Sequence, residues 1–299
     1  MKAKKNIYYL ADTNPNKDKG GIAYKIYKQM VLLKNNEKKI TFIPISRKKG
    51  KINKCLSLLP FYSSKKGLEK LKNINDNSDV YIRYFFSDYN LVHTLKKFKK
   101  RNPKSKIAIE VPTYPYDGEK ILPKNRPDYW KDKIWRKRLY KYVDKIVTYS
   151  DDKQIFKIPT LNISNGIDIK KTDIRKPQKS NSLNLIAVAK FGLWHGYDRM
   201  IKGLAEYYNK DGRKRNIKFY IVGYGDKKTE ENYKSLIKEY NLQSKVILTG
   251  EKNGEELDYY YNLCDIGIDS LGRHRSKVYY NSSMPVMSGE SDKREFLIS

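Results

Sequence analysis

Two successive arrays of short β-branched runs and helix-period stretches, separated by a polar segment, constrain this chain more than any other feature of its sequence. Asn6–Ala11 reads as a strand, and Gly20–Leu33 as a helix with Ile22, Ile26, Met30 and Leu33 on one face. Strand candidates follow at Lys39–Ile45, Val80–Phe86, Lys106–Val111, Lys145–Tyr149 and Thr160–Ile163, with helices near 88–101 and 129–143. Ile169–Ser182 is polar with one proline and reads as a linker. The pattern then restarts. Leu183–Ala189, Asn216–Val222, Lys245–Leu248 and Asp265–Asp269 read as strands, and Asp198–Tyr208, Glu230–Tyr240 and Gly254–Leu263 as helices between them. Such alternation predicts α/β domains with parallel sheets covered on both faces. The expected division is a Rossmann-like N-terminal domain over 1–170, a linker over 171–182 and a second Rossmann-like domain over 183–299. Ligands of these sheets sit beyond the C-terminal strand ends, so two facing sheets would enclose a cleft there.

The charge follows the same division. Of 299 residues, 63 are Lys or Arg and 33 Asp or Glu, a net of +30. Residues 183–299 hold 19 of the basic and 16 of the acidic residues, so +27 of the excess lies in residues 1–182. It gathers in helix-like stretches: Lys96, Lys97, Lys99, Lys100 and Arg101, then Lys131, Lys133, Arg136, Lys137, Arg138 and Lys141. The second stretch also carries Trp130, Trp135, Tyr140 and Tyr142. A basic, aromatic face is either a plain solvated surface, a membrane-surface contact or a nucleic-acid contact. No nucleic-acid motif accompanies it, so an anionic membrane is the expected partner and nucleic acid is not. No apolar run approaches the ~20 residues of a membrane helix. Cys55 and Cys264 have neither metal nor redox spacing. The expected location is cytoplasmic, peripheral on the inner face of the cell membrane.

Three glycine-containing turns close predicted strands: Asp18-Lys19-Gly20-Gly21, Lys190-Phe191-Gly192-Leu193-Trp194-His195-Gly196, and Gly223-Tyr224-Gly225. Glycine there serves either a tight turn or a phosphate brought close to free backbone N–H groups at a helix N-terminus. Neither GxGxxG nor GxxxxGK[ST] is present.

The order of these segments resembles the glycosyltransferases of family 4, which have the GT-B fold. The family's strand followed by "GR…KG.d.li.a" is matched by VAKFGLWHGYDRMIKGLAEY. Its "l.ivG.G", helix and "V.f.G" are matched from FYIVGYGDKK through KVILTG, and its "y..aDi.i" by the segment ending near Asp269. VDKIVTYS at 143–150 and ISNGIDI at 163–169 resemble first-domain segments. The resemblance implies GT-B architecture and retaining transfer of a sugar from a nucleotide-diphosphate donor, without a metal or other cofactor. It resembles members that build bacterial surface polysaccharide, which implies a lipid-linked glycan acceptor in capsule, exopolysaccharide or O-antigen synthesis.

The implied site residues follow by position. A basic pair neutralises the leaving diphosphate in the family; Lys190 and His195 stand there in this chain. Lys190 keeps the charge of the family's arginine without its bidentate geometry. A diphosphate beside His195 is expected to favour the imidazolium. Gly20, Gly21, Gly223 and Gly225 are expected to line the donor, and Arg273 to serve its sugar or phosphate. The segment Glu110–Glu119, held extended by two prolines, is expected to supply Glu110 to the transfer site and Tyr114 and Glu119 to the acceptor. KREFLIS resembles the segment holding the second glutamate of the family's E-x7-E pair, which makes Glu295 the ribose contact. Met287 stands where the first glutamate belongs. Family members also continue further, so the expectation is an incomplete second domain. An impaired transferase acting as a basic glycan- or membrane-binding module is the alternative expectation.

Overall fold

The computed structural model describes residues 6–18, 21–35, 39–74, 76, 78–117, 126–164, 181–210, 212 and 214–276. The chain divides into two compact units, Met1–Ile163 and Ser164–Ser299. Residues 165–180, which include most of the expected linker, lie outside the described residues.

The first unit has nine strands and four α-helices among its described residues: β1 (Ile7–Ala11), α1 (Gly21–Asn35), β2 (Ile40–Pro44), β3 (Ser46–Arg47), α2 (Lys51–Leu56), β4 (Lys65–Lys66), β5 (Asp79–Arg83), α3 (Tyr89–Arg101), β6 (Ile107–Val111), α4 (Arg126–Trp135), β7 (Lys145–Thr148), β8 (Gln154–Ile155) and β9 (Ile158–Asn162). Seven strands form one sheet in the order β2-β1-β5-β6-β7-β9-β8, parallel except for the β8–β9 pair. The parallel strands are near-continuous apolar runs because both sheet faces are covered. Leu10, Ile82, Ile109 and Ile146 are fully buried on the side of α3, whose Leu91, Leu95 and Phe98 share that core. Tyr9 and Ala11 pack with Ile26 of α1 on the other. Asp88 caps α3 by accepting the Leu91 N–H at 2.9 Å.

The second unit carries β10 (Ser182–Phe191), α5 (Tyr197–Asn209), β11 (Asn216–Gly225), α6 (Lys227–Glu239), β12 (Val246–Gly250), α7 (Glu255–Leu263) and β13 (Ile266–Gly267). Its parallel sheet has the order β12-β11-β10-β13. Phe219, Ile221, Ile201 and Tyr197 are fully buried between this sheet and α5 and α6. The Asp265 carboxylate, just before β13, accepts the Asn184 N–H of β10 at 2.8 Å.

Two differences from the sequence reading matter. First, β10 and β11 each run ten residues, so Lys190, Tyr224 and Gly225 belong to strands rather than to the turns expected there. The reason is the absence of a side chain at Gly223. A Cβ there would lie 1.9 Å from the Ala189 carbonyl oxygen, so only glycine lets the pairing continue. Second, the expected helix over 129–143 is α4 followed by a 3-10 turn, Arg136–Lys141. The β3–β4 hairpin and α2, within 46–66, were not foreseen, since no run there exceeds a few residues of either period.

Candidate functional site

Open parallel sheets hold ligands in a crevice beyond the C-terminal strand ends, where the order of parallel strands reverses. In the second unit, β11 and β12 lie on one side of β10 and β13 on the other. The candidate crevice is therefore the region beyond the ends of β10 and β13, beside the segments following Phe191 and Gly267.

Lys190 is exposed in the penultimate position of β10, in register with Tyr224. Its Nζ stands 5.1 Å from the centre of the Tyr224 ring. The next four residues form a tight turn. The Gly192 N–H donates to His195 Nδ1 at 2.8 Å, and the His195 N–H returns to the Gly192 carbonyl at 3.0 Å. Gly196, at φ 66°, then leads into α5. The segment after β13 is fastened to this turn: Leu271 N–H donates to the His195 carbonyl at 2.7 Å and Gly272 N–H to the Trp194 carbonyl at 3.0 Å. Arg275 completes the fastening with a bidentate pair to Asp198 in the first turn of α5, at 2.9 and 2.7 Å. This pair holds the Asp198 carboxyl below the usual range, chiefly through the Arg275 hydrogen bonds.

The structure thus brings Lys190, His195 and Arg273 to the ends of two neighbouring strands and the segments that follow them. It shows the state of His195 without donor. The ring is buried, and burial, joined by the nearby Arg273 charge, outweighs Asp269 and lowers its pKa to about 4. Nδ1 accepts a hydrogen bond, so the neutral ring carries its proton on Nε2. At neutral pH the protein without donor therefore presents an uncharged His195. Gly223 and Gly225 also receive a packing reason: a Cβ on Gly225 would meet the Phe191 ring at 2.6 Å, and its N–H already donates to Glu230 Oε1 at 2.9 Å. Tyr224 between them, and the Arg275–Asp198 pair, were missed by the sequence reading. An aromatic residue between two strand-end glycines was the available signal.

In the first unit the reversal falls between β1 and β5. Beside it stands Glu110, at the end of β6 and fully buried. Its Oε1 accepts from Arg83 at 2.7 Å and Tyr149 at 3.2 Å and pairs with Lys25 at 3.2 Å. Its Oε2 accepts from Tyr81 at 3.0 Å and Gln29 at 3.2 Å. Burial alone would raise the Glu110 pKa; Arg83 and Lys25, with the Tyr81 and Gln29 bonds, reverse this and hold it below the usual glutamate value. Glu110 is therefore an anchor for two cations rather than a group offered to a substrate, which differs from the transfer role expected of it. Arg83, in register with Glu110, and Lys25 and Gln29, one helical turn apart on α1, were not foreseen. A lone arginine ending an apolar strand was their signal.

Tyr114 is half-buried, its ring edge-on to Phe156 at 6.0 Å. The loop holding it is pinned from below. Tyr116 donates to the buried Asp132 at 2.5 Å, and Arg136 grips Asp117 at 2.7 and 3.0 Å. Gly21 opens α1. Gly20, Glu119 and Glu295 lie outside the described residues. Among the described residues, no group of three or more His, Cys, Asp and Glu is arranged to hold a metal ion. No helix among them is long and apolar enough to cross a membrane.

Residues 169–268 match the family model described as "Glycosyl transferases group 1". Both segments that border the second crevice begin within that span. Solved structures extend the likeness to both units. A glycosyltransferase of Rickettsia africae superposes with a TM-score of 0.55 at 17% identity, covering 89% of this chain and 72% of its own. The sucrose-phosphate synthase of Thermosynechococcus elongatus gives 0.57 at 13% identity, with 88% and 75% covered. HepE of Anabaena, solved in complex with UDP, gives 0.51 at 12% identity, with 88% and 73% covered. The fold is GT-B. No curated protein matches the sequence. At these identities the GT-B neighbours define the fold, and the family model matches the part of the chain that carries β10 to β13.

Proposed function

We propose that this GT-B protein transfers a sugar from a nucleotide-diphosphate donor, with retention and without a metal, to a lipid-linked glycan in the synthesis of bacterial capsule, exopolysaccharide or O-antigen. In this reading it is a family 4 enzyme that works at the inner face of the cell membrane. The observation that carries the reading is the strand reversal of the second unit, where Lys190 and the turn that ends at α5 stand within the segment that matches the family model.

The chemistry asks for a cation where the leaving group gathers charge. The bond between the sugar's anomeric carbon and the diphosphate breaks, the acceptor oxygen bonds to that carbon, and the acceptor's proton passes to the leaving diphosphate. Lys190 supplies a fixed positive charge for that diphosphate, with Arg273 on the adjoining segment. His195 enters neutral and donates through Nε2; a bound diphosphate raises its proton affinity. Tyr224 offers a ring beside Lys190 against which the nucleotide rests. The acceptor belongs to the first unit, near Tyr114.

Purified protein screened by thermal shift against UDP-, GDP- and ADP-sugars identifies the donor class. Lys190→Ala is expected to lower turnover far more than the surface control Lys228→Ala; equal rates refute the site. Chelation of divalent ions is expected to leave turnover unchanged. A second reading, a degenerate transferase that binds glycan or membrane without turnover, is favoured by the burial of His195, which without donor leaves only Lys190 of the expected basic pair charged. Absence of a shift with every donor decides for it.

A further inference from the structure

A face of the first unit, remote in sequence from the residues above, exposes large apolar side chains among cations. The Tyr62 hydroxyl donates to Asn53 of α2, and Lys131 Nζ of α4 donates to the Tyr62 carbonyl at 2.6 Å. Phe61 stands 5.8 Å from Tyr89 at the start of α3 and 6.1 Å from Trp135 at the end of α4. These contacts join α2, the 57–62 turn and α4 on one side of the unit. That side carries Ile52, Leu58, Phe61, Trp130 and Ile134, each between 47% and 76% exposed. Exposed apolar side chains gathered in this way mark an interaction surface.

Charge decides the partner. Residues 47–62 contain five Lys and Arg and no acidic residue, and residues 126–142 contain seven against two. Both carboxylates are already engaged: Asp128 pairs with Arg47, and Asp132 is fully buried, accepting from Tyr116 and the Ser87 N–H. A second copy of the chain, set face to face, would bring like charge against like charge. The cations also lie along the rings. Lys133 Nζ is 4.8 Å from the Tyr129 ring centre and 5.7 Å from that of Trp130, and the Arg138 guanidinium is 4.5 Å from that of Trp135. Aromatic rings partition to the headgroup level of a bilayer, and lysine and arginine beside them meet lipid phosphates.

We infer that this face docks on an anionic lipid bilayer, with Leu58, Phe61 and Trp130 entering the headgroup layer and the surrounding cations meeting lipid phosphates. The inference gives a location to the membrane element of the proposed function and does not rest on its transfer chemistry.

The test is co-sedimentation of the full chain with phosphatidylcholine vesicles, with and without phosphatidylglycerol, in the absence of donor. Wild type is expected to bind only the vesicles that contain phosphatidylglycerol, with a blue shift of tryptophan emission. Phe61→Ser/Trp130→Ser is expected to weaken binding about tenfold or more, and Lys48→Glu/Lys137→Glu about tenfold. All four positions are exposed, so the variants are expected to melt with the wild type, and a variant that does not is replaced by Leu58→Ser. Failure of wild type to bind phosphatidylglycerol vesicles overturns the inference. So does undiminished binding by the aromatic pair, which would reduce the interaction to diffuse attraction by the basic half. A concentration-dependent mass abolished by the same pair would assign the face to self-association, and tighter binding of a single-stranded RNA oligonucleotide, lost in the same variants, to nucleic acid. Vesicle binding that persists where no donor binds would refute the transferase reading alone.

Discussion

Acidification should weaken the second unit through a single imidazole. His195 is buried against the end of β10, and its pKa falls from 6.5 to about 4 because burial and Arg273 oppose its positive form. Between those values the unfolded chain binds a proton at this residue and the folded chain does not. Stability is therefore greatest above 6.5, falls as pH drops toward 4, and levels off below it. At about 1.4 kcal/mol per pH unit, the loss across this window is about 3 kcal/mol. His195→Asn keeps an acceptor for the Gly192 N–H and removes the titration. The assay is urea unfolding followed by the fluorescence of Trp194, whose indole lies 5.6 Å from the His195 ring, with Trp130 and Trp135 replaced by phenylalanine so that Trp194 reports alone. Carboxylates also titrate near the lower end of the window, so the measured quantity is the difference in pH dependence between parent and His195→Asn. A difference near zero, or a parent that gains stability on acidification, would refute the reasoning.

Three further outcomes are expected. Gly223→Ala should destabilise the second unit by about 3 kcal/mol or more, because its Cβ meets the Ala189 carbonyl and its backbone is held at φ 126°; an unchanged melting temperature contradicts this. Glu110→Gln should cost the first unit about 3–5 kcal/mol by leaving Arg83 and Lys25 buried without their carboxylate. In the wild type this contribution is present above the ordinary glutamate value of 4.5 and is lost as pH falls through the lower folded-state value, so urea midpoints of wild type and Glu110→Gln should converge in acid. Arg275→Met should lower the stability of the second unit by about 1 kcal/mol, since its bidentate pair with Asp198 is partly exposed; a loss larger in turnover than in stability would give Arg275 a part in positioning the crevice.

The parallel sheets were legible because they are buried on both faces. Ile107–Val111 and Leu183–Ala189 are apolar runs that no exposed strand would carry. That Lys190 falls near the end of one strand and Arg273 beyond a later one was legible from the order of segments, although Lys190 was expected in the turn and lies in the strand. The protonation of His195 was not, since it depends on burial by residues distant in sequence. Glu110 was assigned to the transfer site because it opens a proline-rich loop; its partners come from α1, β5 and the segment after β7, and the sequence does not reveal which of these meet. Of the apolar face around Phe61, the basic stretch carrying Trp130 was legible as a candidate surface. Ile52, Leu58 and Phe61 were not, because apolar residues in a short irregular segment look like core until the packing leaves them outside.

The contact between Gly196 and Gly272 carries a consequence for how this protein can change over generations. A Cβ on Gly196 would lie 2.6 Å from the Gly272 backbone nitrogen, and one on Gly272 would lie 3.1 Å from the Gly196 α-carbon. A methyl group on Gly196, whose backbone also lies in the left-handed region, cannot be taken up while the Gly272 backbone holds its place, whereas one on Gly272 asks its neighbours to yield by a few tenths of an ångström. No residue smaller than glycine exists to compensate at the second site. Mutational drift is therefore arrested at Gly196 and only slowed at Gly272.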